Sequence, residues 1–255
     1  MGSVMSKLSN DALLQKDKKI ALSLPRTLPY SIQNLRLMLL HYSNIYLKPD
    51  NSCQGKGAMR IDKHPDDHYL LRSRDTKKIY IFKKLAPLHQ HIQRIKMKRP
   101  YLLQQGIVSQ TPSGNMVDIR VHLFRLNHVW KQVAMAARVA PTQNVVTNRS
   151  SGGEPIDLDE LLTSHLGYTT TEVEQKKEEL SYLATRAVQR ISAKHPSYSE
   201  FGVDIGIDLN GDLWIYEVNI RPSLRMFRQI DYKLYQHLLR LRKQVQAKES
   251  QVLYQ

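Results

Sequence analysis

The segment GVDIGIDLNGDLWIYEVN, residues 202 to 219, constrains this chain most, because two alternating runs flank Asn210-Gly211, the strongest short-range hairpin signal a sequence carries. A two-residue type I′ turn there sets Leu209 opposite Asp212, Asp208 opposite Leu213 and Asp204 opposite Glu217. Period-2 alternation puts Val203, Ile205 and Ile207 on one face, with Trp214, Tyr216 and Val218 on the corresponding face of the returning strand. Asp204, Glu217 and Asn219 share the opposite face. Directly opposed carboxylates repel by up to about 1 kcal/mol, and a bound cation is the simplest relief. All three side chains offer oxygen, which suits magnesium or manganese completed by water and phosphate oxygens. A solvated edge hairpin with incidental acids is the alternative reading of the same residues.

At 255 residues the chain is long enough to bury a substantial core. No apolar run approaches the roughly 18 residues of a membrane span, and the first 25 residues hold no secretory signal, so a cytoplasmic location is expected. The lone Cys53 excludes an intrachain disulfide and a multi-cysteine metal site. The ten histidines show no zinc-ligand spacing, and HPDDH at 64 to 68 reads as a turn. The net charge of +15 is densest in KDKK at 16 to 19, KMKR at 96 to 99 and a basic stretch from Arg228 to Lys248. Without a zinc-finger or helix-turn-helix pattern, that charge points to a polyanionic substrate such as a nucleotide, not to specific nucleic-acid recognition.

Residues 1 to 29 read as a loose basic arm and entry loop. Ser31 caps a helix through about His41, with Ile32, Leu35, Met38 and Leu39 as its apolar stripe. Strands are expected at 44 to 47, 58 to 61 and 78 to 82, then a helix at 85 to 97 that Pro100 ends. An extended segment at 101 to 108 and a turn at 111 to 114 lead to strands at 117 to 124 and 130 to 139. Helices follow at 173 to 192, with Leu180, Leu183, Ala187 and Ile191 facing a core, and at 229 to 245.

YLKPDNSCQGKG, residues 46 to 57, sets Lys48 in an extended stretch before a polar loop in which Gly55 and Gly57 permit close backbone approach and Lys56 adds charge. It has neither Walker A nor Rossmann spacing. Asp118, Arg120 and His122 share one face of an alternating strand. Arg138, in the apolar run AARVA, requires a partner, and phosphate and carboxylate are both open. Asn148 and a diglycine lie in VTNRSSGG, a loop suited to closing over a nucleotide.

In this order the motifs resemble the ATP-grasp fold, and more closely the YheC/YheD family of spore-coat-associated ATP-grasp proteins. The matching residues are Lys48-Pro49, Gln54 to Gly57, Gln104 to Ile107, Asp118 to Val121, Ala137 to Val139, Thr147 to Gly153, Gly202 to Asp208 and Glu217 to Pro222. The resemblance implies an α+β fold of two lobes enclosing ATP, with a reduced N-terminal pre-grasp region. The ATP-grasp domain would span 30 to 255, with a nucleotide-cradling lobe at about 44 to 103, a metal-binding lobe at 104 to 227 and a C-terminal helix and tail from 228. Lys48 and Lys83 would reach the phosphates, Gln54, Gly55, Lys56 and Gly57 would form the flap, and Gln104, Gln105, Gly106 and Ile107 would form the adenine-facing hinge. Asp204, Glu217 and Asn219 would hold magnesium or manganese, while Lys48, Arg120 and Arg138 hold anions.

The implied activity is ATP-dependent ligation of a carboxylate to an amine or thiol through an acylphosphate, in the cytoplasm or at the spore coat. A kinase with a hydroxyl acceptor and a degenerate nucleotide-binding structural protein are the alternatives. Two departures stand out. Gly202 replaces an arginine found in D-alanine ligase-like members two residues before the first metal carboxylate, and Ser223 replaces a glycine common after the terminal proline.

Overall fold

The computed structural model describes residues 5–52, 55–76, 78–141, 145 and 153–252, with side chains described to residue 247. Its first sheet is antiparallel, in the order β1-β6-β2-β3-β4-β5. The strands are β1 (Thr27–Pro29), β2 (Asn44–Pro49), β3 (Met59–Lys63), β4 (Tyr69–Ser73), β5 (Ile79–Phe82) and β6 (Tyr101–Gln105). Alternation sends Ile45, Leu47, Met59, Ile61 and Leu71 into one core under the helices α2 (Ile32–His41) and α3 (Leu85–Ile95). Ser31 caps α2, its hydroxyl accepting from the Asn34 amide at 3.0 Å, and Leu35, Met38 and Leu39 are the buried stripe. Tyr46, Lys48, Arg60, Asp62 and Arg72 occupy the alternate positions, on the opposite face. Sequence reasoning missed β4, because consecutive Leu70 and Leu71 blur its alternation.

The second sheet runs β11-β10-β7-β8-β9, also antiparallel. It comprises β7 (Met116–Leu126), β8 (Val129–Ala140), β9 (Glu154–Ile156), β10 (Glu200–Ile207) and β11 (Leu213–Ile220). After β9 come α4 (Leu158–Glu160) and α5 (Thr170–Ser192), the latter started by a capping box between Thr169 and Glu172. Leu180, Leu183, Ala187 and Ile191 of α5 pack on Val121, Val203 and Ile205 as expected. The terminal helix expected at 229 to 245 is two helices, α6 (Arg225–Ile230) and α7 (Tyr232–Val252). Asp231 separates them, ending α6 in extended backbone and accepting from the amides of Lys233 and Leu234. Both helices pack on the other face of the sheet, against Phe124, Ala134 and Ala136. No described helix is long and apolar enough to cross a membrane.

The Asn210-Gly211 turn differs from expectation. A type I′ turn needs positive φ at both central residues, and of the two only Gly211 has it, at 83°. Asp208 closes a wider loop instead, pairing with Asp212 through backbone and accepting the amides of Asn210 and Asp212 on its side chain. Ile207 therefore faces Leu213 and Ile205 faces Ile215, one residue out of the expected register. A β-bulge at Tyr216 then restores Asp204 opposite Glu217. In consequence Ile215 takes the core position expected of Trp214 and Tyr216, while Val218 is buried as expected. The two-residue type I′ hairpin of this sheet lies elsewhere, at Asn127-His128, with φ of 48° and 64°.

Residues 5 to 29 are not a loose arm. They contain α1 (Lys7–Leu14) and the edge strand β1, and bury Leu14, Ile20 and Leu24 in the second core. That apolar burial is joined by Asp17, buried between Arg186 and Arg190 of α5 at 2.9 and 2.6 Å. Burial opposes its ionisation, but the hydrogen bonds from Arg190, Arg186 and the Lys19 amide win and hold the carboxyl at about 2. A depressed carboxyl gives stability that is complete above its unfolded value, 3.8, and is lost as pH falls through about 2. Asp17→Asn should therefore lower stability at neutral pH and flatten the acid limb of a stability profile between those values. Urea melts from neutral to acid pH check it, and an unchanged acid limb would count against the clasp.

Candidate functional site

One face of the second sheet turns its charged residues toward the first sheet. Register sets Asp118 opposite Arg138, Arg120 opposite Asp204, and Asp204 opposite Glu217. Arg120 grips Asp204 in a fork, Nε to Oδ1 at 2.6 Å and Nη2 to Oδ2 at 2.9 Å. Arg138 does the same to Asp118 and reaches Asp204 Oδ1 at 3.4 Å. Asn219 Nδ2 donates to both Asp204 Oδ2, at 3.1 Å, and Glu217 Oε1, at 3.0 Å. Burial pushes the Asp204 carboxyl up, but Arg120 and Arg138 hold it below the usual carboxylate range. Burial wins at Asp118 and raises it despite Arg138, whose own guanidinium is held protonated by its acidic neighbours.

Carboxylate, one of the two partners left open for Arg138, is the one that Arg120 and Arg138 both have here. Repulsion between Asp204 and Glu217 is not the argument for a metal, because guanidinium groups already neutralise Asp204. The Gly202 departure has a local explanation. A Cβ at Gly202 would lie 2.6 Å from Pro222 Cγ and 3.0 Å from Arg120 Cδ, so the space beside Asp204 is filled by an arginine from the neighbouring strand.

The first sheet contributes Lys48, whose Nζ donates to Gln104 Oε1 at 2.6 Å and sits 5.5 Å from the Tyr46 ring and 5.9 Å from the Tyr216 ring. Pro49 fixes it in extended backbone. Burial pushes its ammonium down, opposed by the charge of Glu217 across the cleft. Gln104 is the strut between the sheets, its Nε2 lying 3.4 Å from Thr27 Oγ1 and 3.5 Å from the Tyr216 carbonyl.

Sequence reasoning missed Lys7. Its Nζ donates to the carbonyls of Ser52 at 2.8 Å and Asp50 at 3.4 Å, and lies 3.9 Å from Glu217 Oε2. It thus stands at the mouth of the glycine-rich loop, facing the carboxylate on the other sheet. The available signal was Ser6, an N-cap before an apolar helix pattern, whose hydroxyl accepts from the Ser9 amide.

Other expected residues fall as follows. Lys83 follows β5, the far edge strand, three strands out from Lys48 and about six residues further along by register, roughly 25 Å away at normal strand spacing and rise. It is not brought to the site. Gly55 and Gly57 have positive φ, as a tight loop needs, but the Gly57 amide donates to Asp75 and its carbonyl accepts from Tyr101, so that end of the loop is wired shut. Lys56 is exposed. Gln105 pairs by side chain and backbone with Arg26, and the Gly106 amide donates to the Asn44 carbonyl, which leaves Gly106 and the half-buried Ile107 as the start of the link to β7. Gln54 and Asn148 lie outside the described residues.

Among the described residues no three His, Cys, Asp or Glu side chains cluster as a metal site. Two carboxylates and a carboxamide nonetheless meet within hydrogen-bonding distance; Asn219 turns Nδ2 to both acids, and with that amide rotated to present Oδ1 the three would form a hard-oxygen set that suits magnesium sharing its sphere with water and phosphate. Glu217, with a side chain 31% exposed, has lone pairs to offer. Asp204 has four contacts on two oxygens and gives one only where Arg138, its longest, yields.

Two antiparallel sheets closing on a buried lysine from one and an acid-amide set from the other make this an ATP-grasp protein. Residues 2–244 match the YheC/D-like ATP-grasp family model, and the chain belongs to that family. It is 27% identical over 229 residues to the endospore coat-associated protein YheD of Bacillus subtilis (strain 168), covering 84% of this chain and 48% of that protein. The chain therefore spans about half the length of this curated relative. The D-alanyl-alanine synthetase A of Vibrio cholerae superposes with a TM-score of 0.51 at 13% identity, covering 95% of this chain and 67% of that one. The ATP-grasp ligase PsnB, complexed with a phosphomimetic variant of minimal precursor, Mg and ADP, gives 0.50 at 14% identity, covering 94% and 58%. These likenesses establish the two-lobed α+β fold.

Proposed function

We propose that this chain is a magnesium- and ATP-dependent ligase that activates a carboxylate as an acylphosphate and passes the acyl group to an amine or thiol. The observation that carries this reading is one cleft in which Lys7 lies 3.9 Å from Glu217, Glu217 bonds Asn219, and Lys48 lies 5.9 Å from the ring of Tyr216 on the same strand as Glu217. In the first step an oxygen of the acceptor carboxylate attacks the γ-phosphorus, the bond to the β-γ bridging oxygen breaks and ADP leaves. In the second the nucleophile attacks the acyl carbon, phosphate departs and the nucleophile's proton is lost to solvent. Glu217 and Asn219 would hold magnesium or manganese, which would supply charge neutralisation at the transferred group. Lys48 holds the phosphates from the first sheet, and Lys7, instead of Lys83, is the second ammonium. Arg120, beside Gly202, is the cation nearest the reacting centre, with Arg138 fixing it through Asp204. The cellular setting proposed is the cytoplasm, with delivery of the product to a spore coat.

Equilibrium titration with ATP and magnesium tests the lysine assignment. Lys48→Met and Lys7→Met should each weaken binding by roughly 1.5 to 3 kcal/mol, the loss of a charge-assisted contact, and Lys83→Met should leave it unchanged. A Lys83→Met variant weaker than Lys7→Met would reverse the assignment. Hydroxylamine trapping during ATP turnover with candidate acceptors separates the chemistries. Hydroxamate reports an acylphosphate, whereas a stable phosphoester reports a kinase.

A further inference from the structure

Among the described residues the strand β5 is an open edge of the first sheet, paired on one side only, with β4. Ser73 donates to the Lys78 carbonyl, which makes Ser73/Lys78, and by alternation Leu71/Tyr80 and Tyr69/Phe82, the hydrogen-bonded pairs of this ladder. The intervening Ile79 and Ile81 therefore direct their backbone N–H and C=O outward. Their side chains are also the exposed ones, 55% and 66% accessible, while Tyr80 and Phe82 pack inward. Backbone and side chain are thus unpartnered at the same two residues, where edge strands ordinarily carry charge or a bulge.

The surroundings select what fits. Residues 44 to 103 carry fourteen lysines and arginines against five aspartates, and exposed Lys83 and Lys84 follow β5 directly. That charge disfavours a second copy of the same edge. Exposed Lys78 and Lys84 alternate with Ile79 and Ile81 and so stand on the other face of the edge. We propose that this edge docks an extended polypeptide segment with acidic residues alternating with β-branched ones, added as a seventh strand, its apolar side chains on Ile79 and Ile81 and its carboxylates on the other face, toward Lys78 and Lys84. The mode is strand addition, in which main-chain hydrogen bonds give affinity and alternate side chains give selectivity. Naming this segment as part of the ligase's acceptor rests on the function proposed above, but the docking itself needs no ATP.

A fluorescein-labelled octapeptide of alternating glutamate and valine, titrated by fluorescence polarisation without nucleotide, is the probe. Binding should survive Lys48→Met, which separates docking from the ATP site. It should fall about tenfold with Ile81→Pro, which removes an outward N–H without touching the β4 ladder, and similarly for a peptide with the same residues in two blocks. Should Ile81→Pro fail to fold, Ile79→Ser/Ile81→Ser carries the same expectation. Hydrogen exchange on the wild-type protein should show the Ile79 and Ile81 amides protected by the peptide. Peptide binding unaffected by either edge variant, absence of that protection, or an oligonucleotide of equal charge binding as tightly would overturn the proposal.

Discussion

Arg120→Met is expected to cost about 3–5 kcal/mol of folding stability, because it leaves the buried Asp204 carboxylate short of its principal partner. Both side chains are nine-tenths buried and joined by two hydrogen bonds. The long contact from Arg138 and the amide of Asn219 do not replace a fork. Replacing Asp204 as well, in Arg120→Met/Asp204→Leu, should recover much of the loss, since no uncompensated charge then remains. Urea melts of the two single variants and the double variant give the coupling directly. Additive losses would mean the pair contributes little. A small loss in Arg120→Met alongside abolished ATP turnover would return Arg120 to a purely anion-holding role.

Glu217→Gln should behave in the opposite way, with near-normal stability and magnesium-dependent turnover reduced by about 10²-fold or more, as when a group that steadies transition-state charge is lost. The carboxylate is partly exposed and touches the Asn219 amide, the Asp204 carboxyl and, at a distance, the Lys7 ammonium. A glutamine in its place keeps the hydrogen bond and loses the charge. Melts and turnover measured on the same preparation check both halves. A collapse in stability would make Glu217 a structural residue.

The site was legible where a single local period decides it. Asp204, Glu217 and Asn219 share a face because a strand alternates, and Lys48 is extended because Pro49 follows it. Even there two deviations cancelled: the wider Asp208 loop moved the register by one, and the bulge at Tyr216 moved it back. What depends on distant parts of the chain was not legible. Arg120 needed a partner, but only strand order shows that it is Asp204, 84 residues away. Lys7 meets a loop more than 40 residues on and a carboxylate on the last strand, which nothing in its own neighbourhood announces. Lys83 failed for the converse reason. It follows a strand as a phosphate lysine should, yet β6 returns between β1 and β2 and leaves β5 at the edge. The apparent arm at the N-terminus is held by Leu14, Ile20 and Leu24 in the second core and by Asp17, which meets two arginines of α5 that lie about 170 residues on.

Calorimetric titration of ATP with magnesium, and again with a chelator, decides whether the cleft between the two sheets is a magnesium-ATP site. Wild-type protein should bind ATP more tightly with magnesium. Glu217→Gln should bind equally in both conditions, at the wild-type chelated affinity, and Lys48→Met should be weaker in both. A wild-type protein indifferent to magnesium, or a Glu217→Gln variant that keeps the full magnesium dependence, would contradict it.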